Sequence, residues 1–144
     1  MNASRRLRPI LVVEDSDEDF ATVLEALNRA GVGNEVHRAE SGDDAMDQLL
    51  ACAAKPASLP ALVLMDLSTP RGDGRDALRQ MQLNDQLRAV PVVVLSTSHN
   101  PRDVGFCYAQ GANAFHVKPV QHPAHLALLA HIFEYWLTLA MLPD

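Results

Sequence analysis

Four apolar runs in this 144-residue chain each end in residues able to bind a cation, attack phosphorus or donate a proton. Glu14 and Asp15 follow Ile10 to Val13, and Asp66 follows Leu62 to Met65. Ser96 and Thr97 follow Val92 to Leu95, and Lys118-Pro119 follows Ala114 to Val117. Three carboxylates brought together raise one another's pKa unless a cation holds them ionised. Oxygen ligands with no His or Cys among them suit magnesium or manganese rather than zinc. Asp66, at the exit of what reads as the central strand, is then the expected nucleophile, because its carboxylate oxygen can attack phosphorus in line and form an acyl phosphate. Glu14 and Asp15 are expected to hold the metal. The Lys118 ammonium and the Ser96 hydroxyl are expected to stabilise the charge that spreads over the phosphoryl oxygens.

These side chains converge only if the runs are parallel strands of one sheet, since ligands of an open α/β sheet bind beyond the carboxyl ends of its strands. Strands are predicted at Ile10 to Val13, Glu35 to Arg38, Leu62 to Met65, Val92 to Leu95 and Ala114 to Val117, with the second, holding Glu35 and His37, at an edge. Stretches of helical period alternate with them, the signature of βα units wound into a doubly wound α/β sheet. Ser16 or Asp17 can cap a first helix with Phe20, Val23, Leu24 and Leu27 on one face, ending near Gly31. A second helix is predicted over Asp43 to Ala53. Pro56 and Pro60 close that segment, and Pro91 introduces the fourth strand where a missing backbone donor does little harm.

With 48% apolar and 21% charged residues, the chain has the composition of a folded domain rather than a disordered one. A net charge of −6, with basic residues scattered except for Arg5, Arg6 and Arg8, offers no phosphate-binding face, so nucleic acid is not an expected partner. Cys52 and Cys107 are far apart, form no Cys-x-x-Cys pair and read as packing residues of a reduced, cytoplasmic protein. Leu126 to Leu142 is apolar but interrupted by His131 and Glu134, which argues against a membrane span. His116, His122, His125 and His131 lack metal-ligand spacing, and no Gly-x-x-x-x-Gly-Lys or Gly-x-Gly-x-x-Gly follows the first strand.

Glu14-Asp15, Asp66-Leu67-x-x-Pro70-x-x-Asp73-Gly74, Ser96 and Lys118-Pro119 together resemble the receiver domain of two-component response regulators, over roughly residues 8 to 134. The resemblance implies a flavodoxin-like sheet of order 2-1-3-4-5 and a phosphoryl group passed to Asp66 from a sensor histidine kinase. It implies an acidic pair at Glu14 and Asp15, a metal ligand at the backbone carbonyl of Ser68, Lys118 as the site lysine and a cis Lys118-Pro119 bond. It further implies Ser96 as a switching hydroxyl and Phe115 in the position of a switching aromatic, which alters the face formed by helix four, strand five and helix five. In such a protein catalysis is limited to its own phosphorylation and acyl-phosphate hydrolysis. An aspartyl-phosphate hydrolase is a second reading, but such enzymes carry a second Asp where this chain has Ser68; a docking protein that is never phosphorylated is a third.

The predicted layout is a flexible tail over 1–8 and one receiver domain over 9–142, without an output domain. Its last helix opens at Pro123 and runs to about Met141, apolar nearly all round. Leu126, Leu129, Phe133, Trp136 and Ala140 form one seam that can cover the sheet, while Leu128, Ile132, Tyr135, Leu139 and Leu142 form a second. A second seam points to a homodimer through this helix. Glu134-Tyr135-Trp136-Leu137 before Leu142-Pro143 also resembles the end of small response regulators paired with phytochrome-type kinases, making a bacteriophytochrome the expected kinase class.

Overall fold

Strands buried on both faces read as near-continuous apolar runs, and here they form the centre of the molecule. The computed structural model describes residues 7–67 and 74–143. Five parallel strands, β1 (Ile10–Val13), β2 (Val36–Ala39), β3 (Leu62–Asp66), β4 (Val92–Ser96) and β5 (Ala114–Val117), pair in the order β2-β1-β3-β4-β5. The helices are α1 (Asp17–Ala30), α2 (Gly42–Ala53), α3 (Gly74–Leu83), α4 (Pro101–Ala109) and α5 (His122–Glu134). This is the doubly wound fold expected from the alternating runs. β3 and β4 extend one residue further than predicted and take in Asp66 and Ser96, while β2 begins one residue later.

Alternation along each strand sorts the core into two layers. Ile10, Val12, Leu62, Leu64, Val93 and Leu95 face Val23, Ala26 and Leu27 of α1 and Leu126, Leu129, Ile132 and Phe133 of α5. Leu11, Val13, Val63, Met65, Val92 and Val94 face Ala45, Met46 and Leu49 of α2, Ala77, Leu78 and Met81 of α3, and Cys107 of α4. Ser16 caps α1 by accepting the Asp19 N–H, and Gly31 ends it in the left-handed conformation, φ 73°, that glycine adopts without a Cβ clash. The predicted apolar face of α1 is corrected at Leu24, which is 44% exposed; Ala26 takes its place in the core.

The end of the chain departs most from expectation. The α-helix stops at Glu134, a π-helical turn spans Tyr135–Leu139, and Ala140 is extended (ψ 145°), so no continuous helix reaches Met141. A π-turn places its side chains differently from the 3.6-residue period used to draw the second seam. Ile132 and Leu142, assigned to that seam, lie in the core at 4% and 3% exposure, as does Leu137, which belonged to neither seam. Leu128 and Trp136 are half-buried, whereas Tyr135 and Leu139 remain exposed. No helix among the described residues is long and apolar enough to cross a membrane.

Candidate phosphoryl-acceptor site

Strand register delivers the site. β1 and β3 pair from Ile10 with Leu62 to Val13 with Met65, Asp66 stands beside Leu95, and Ser96 beside Val117. Glu14, Asp66, Ser96 and Lys118 therefore reach one edge of the sheet without any long loop. Arg38 of β2 reinforces the exit of β1: its Nε donates to the Glu14 carbonyl at 2.9 Å, its Nη1 reaches Asp17 at 2.8 Å, and its guanidinium covers the Phe20 ring at 4.7 Å. The Ser16 N–H donates to Glu14 Oε2 at 3.2 Å, turning that carboxylate back over the sheet.

Lys118 draws the cluster together. Its Nζ lies 2.5 Å from Asp66 Oδ2, 2.9 Å from Asp19 Oδ2 and 3.4 Å from Glu14 Oε1, with Glu14 and Asp66 almost fully buried. Burial and repulsion from Asp66, only partly offset by Lys118, push Glu14 up to about 7. Burial pulls Lys118 down, but its bonds to Asp66 and Asp19 and the charges of Asp66 and Glu14 outweigh that, holding it above the ordinary lysine value. Among the described residues, oxygen atoms of Glu14, Asp19 and Asp66 lie within 4.8 Å of one another. Among the described residues, three carboxylates facing one ammonium in an all-oxygen setting fit a hard divalent cation such as Mg2+ or Mn2+.

Asp15, expected beside Glu14 at the metal, is exposed and stands outside this cluster. Successive residues leaving a strand point to opposite sides, and Glu14 is the one turned inward. Asp19 was missed. Its signal was present in the acidic run Glu14 to Asp19 and in the Ser16 cap, which sets Asp19 in the first turn of α1. The Lys118-Pro119 bond is trans, not cis as expected; trans is the intrinsically preferred form, and Lys118 reaches Asp66 from it. Ser96 is buried and its Oγ accepts the Ser98 N–H at 3.0 Å. Phe115 is half-buried against the α2–α4 layer, and its N–H donates to the Tyr108 hydroxyl at 3.2 Å. Ser68, Pro70 and Asp73 lie outside the described residues.

A parallel sheet of this order with acceptor carboxylate, acidic partners, hydroxyl and lysine at its carboxyl edge defines a phosphorylation-controlled signalling domain, and the model of the response regulator receiver domain matches residues 10–130. The chain belongs to that family and to two-component signalling. It is 35% identical to response regulator Rcp1 of Synechocystis sp. over 135 residues, 93% of this chain and 92% of that protein. Among solved structures it is similar to the phosphorylated cyanobacterial phytochrome response regulator RcpA, with 35% identity, TM-score 0.87, and 95% and 99% of the two chains covered. It is likewise similar to the bacteriophytochrome response regulator AtBRR, with 38% identity, TM-score 0.71, and 96% and 99% covered.

Proposed function

We propose that this protein is a phosphorylation switch in which Asp66 is the acceptor and a phytochrome-type histidine kinase the donor. The observation that carries the reading is the buried Asp66 carboxylate held 2.5 Å from the Lys118 ammonium within a three-carboxylate cluster. An Asp66 oxygen attacks the phosphorus of a phosphohistidine; the new O–P bond forms as the P–N bond breaks, and the histidine leaves with the electron pair of that bond. Glu14, Asp19 and Asp66 would hold Mg2+ or Mn2+, with Asp15 contributing charge on the solvent side and the Ser68 carbonyl a further oxygen. The bound ion supplies charge neutralisation for the phosphoryl oxygens. Lys118 then pairs with phosphoryl charge, and the Ser96 hydroxyl donates to a phosphoryl oxygen, carrying the change to Phe115 and the α4–β5–α5 face. The protein's only catalysis is on its own Asp66, and its setting is the cytoplasm.

The same reading includes a homodimer through the end of α5. Leu128, His131, Tyr135 and Trp136 line an open groove of about 400 Å³ against Ala114 and His116 of β5. Beside it Tyr135, Leu139 and Met141, which follow α5, are 53%, 66% and 83% exposed, an apolar surface that the same segment of a second copy would cover.

Intact-mass measurement of phosphate uptake from phosphoramidate with Mg2+ tests the acceptor. A single added phosphate in the wild type and none in Asp66→Asn is expected. Uptake that persists in Asp66→Asn would remove the assignment.

A further inference from the structure

A polar chain leads from Ser96 to the start of two helices. The Ser98 N–H holds Ser96 Oγ at 3.0 Å, and the Ser98 hydroxyl donates to Asp103 Oδ2 at 2.7 Å while accepting the Asn100 N–H at 3.1 Å. Asp103 lies in the first turn of α4, where Asn100 is the cap, and its other oxygen accepts from Arg75 Nη2 at 2.9 Å. Arg75 is the second residue of α3, and one turn later the Arg79 guanidinium sits 5.8 Å from the Phe106 ring of α4. The Asp103 carboxyl is held below its ordinary value by its bonds to Ser98 and Arg75.

The Ser96 oxygen is thus engaged from the β4–α4 connection rather than from the acidic cluster. If the Ser96 hydroxyl moves toward a phosphoryl group on Asp66, the bond from the Ser98 N–H must follow or break, and Ser98 is tied through Asp103 to α3. The Ser98–Asp103 and Asp103–Arg75 ties are charge-assisted hydrogen bonds, the stronger kind, and the Ser98–Ser96 tie is a neutral one. A pair joining two helix starts resists a movement of one against the other, so it favours the resting arrangement.

We propose that Ser98, Asp103 and Arg75 are positioning residues that latch the Ser96 hydroxyl back from Asp66 and so set how readily Asp66 takes a phosphoryl group. The inference rests on Asp66 being the acceptor. It assigns to Arg75 and Asp103 a restraining role that capping of α4 alone does not require.

The test is the rate of phosphate uptake from phosphoramidate with Mg2+, by intact mass, in the full chain and in Asp103→Asn, Arg75→Met and Ser98→Ala. Releasing the latch is expected to raise the rate about fivefold in each, at the low end of coupling between linked sites. The Asp103→Asn/Arg75→Met double variant is expected to gain little beyond either single one, because both remove the same tie. Ser98→Ala, which deletes a single loop hydroxyl, carries the test if the charge variants fold poorly, as read by their thermal melts. Unchanged or slower uptake in folded variants overturns the latch. A wild type that takes no phosphate at all refutes the acceptor assignment instead.

Discussion

Lys118 and Asp103 show how differently charge is used at two points of one sheet edge. Among the described residues Lys118 is the ammonium set between Glu14, Asp19 and Asp66, so it both compensates their burial and competes with a divalent ion for them. Replacing it in Lys118→Met is expected to slow phosphate uptake about 100-fold, the usual effect of losing one group that stabilises transition-state charge. The same variant is expected to bind Mg2+ more tightly by titration calorimetry, since its competitor is gone; weaker binding would show that Lys118 orders the carboxylates instead. Asp103 is a simpler case. Its pKa is lowered in the folded protein, so the stability it contributes is complete above the ordinary carboxylate value and is lost as pH falls through its lowered one. Arg75→Gln is expected to move the Asp103 carboxyl upward, toward that ordinary value, in an NMR pH titration; no movement would mean that Ser98 alone holds it down.

Among the elements, α5 and the π-turn after it carry one apolar stretch with a buried and an exposed side. Its inner side is core: Phe133 and Leu129 are fully buried against β1, β3 and β4 and against α1. Phe133→Ala is expected to cost about 3–5 kcal/mol in urea unfolding, through lost transfer energy and the cavity left behind. Leu139→Ala, on the exposed side of the π-turn, is expected to cost under about 0.5 kcal/mol under conditions where the protein is monomeric. Similar losses at the two positions would show that the π-turn packs inward in solution. The period of the sequence placed Leu126, Leu129 and Phe133 correctly because a regular helix repeats every 3.6 residues. It misplaced Leu142 because the helix is not regular after Glu134, and it misplaced Ile132, which lies within the regular helix, because the core-facing stripe of α5 is wider than a single narrow seam.

At the scale of the whole molecule, folding and metal binding are coupled through the acidic edge, because only the folded chain assembles its carboxylates. Mg2+ at about 100 times its Kd is expected to stabilise the wild type by about 2.7 kcal/mol, read as a rise in the thermal midpoint. Glu14→Gln is expected to start from a protein at least as stable without metal, since a buried carboxylate pushed up to about 7 is an electrostatic cost, and to gain less from Mg2+. An equal Mg2+ response in both would place the ion away from Glu14. The second assembly step is the proposed dimer: Leu139→Glu is expected to shift light scattering from dimer to monomer while leaving phosphate uptake unchanged. A wild type that is monomeric at every concentration would remove the dimer reading.

Much of this protein was legible along the chain because strand and helix periods are local properties. The five strands and the convergence of Glu14, Asp66, Ser96 and Lys118 follow from where apolar runs stop and which residues stop them, whereas the strand order came only with the family resemblance. Tertiary structure decided what depends on direction rather than position. It turned Glu14 inward and Asp15 outward, brought Asp19 of α1 to Lys118 across 99 residues of chain, and folded Leu142 back into the core. It also joined Ser98 to Asp103 and Asp103 to Arg75. Such pairings are set by how helices pack on a twisted sheet, a geometry no local spacing encodes.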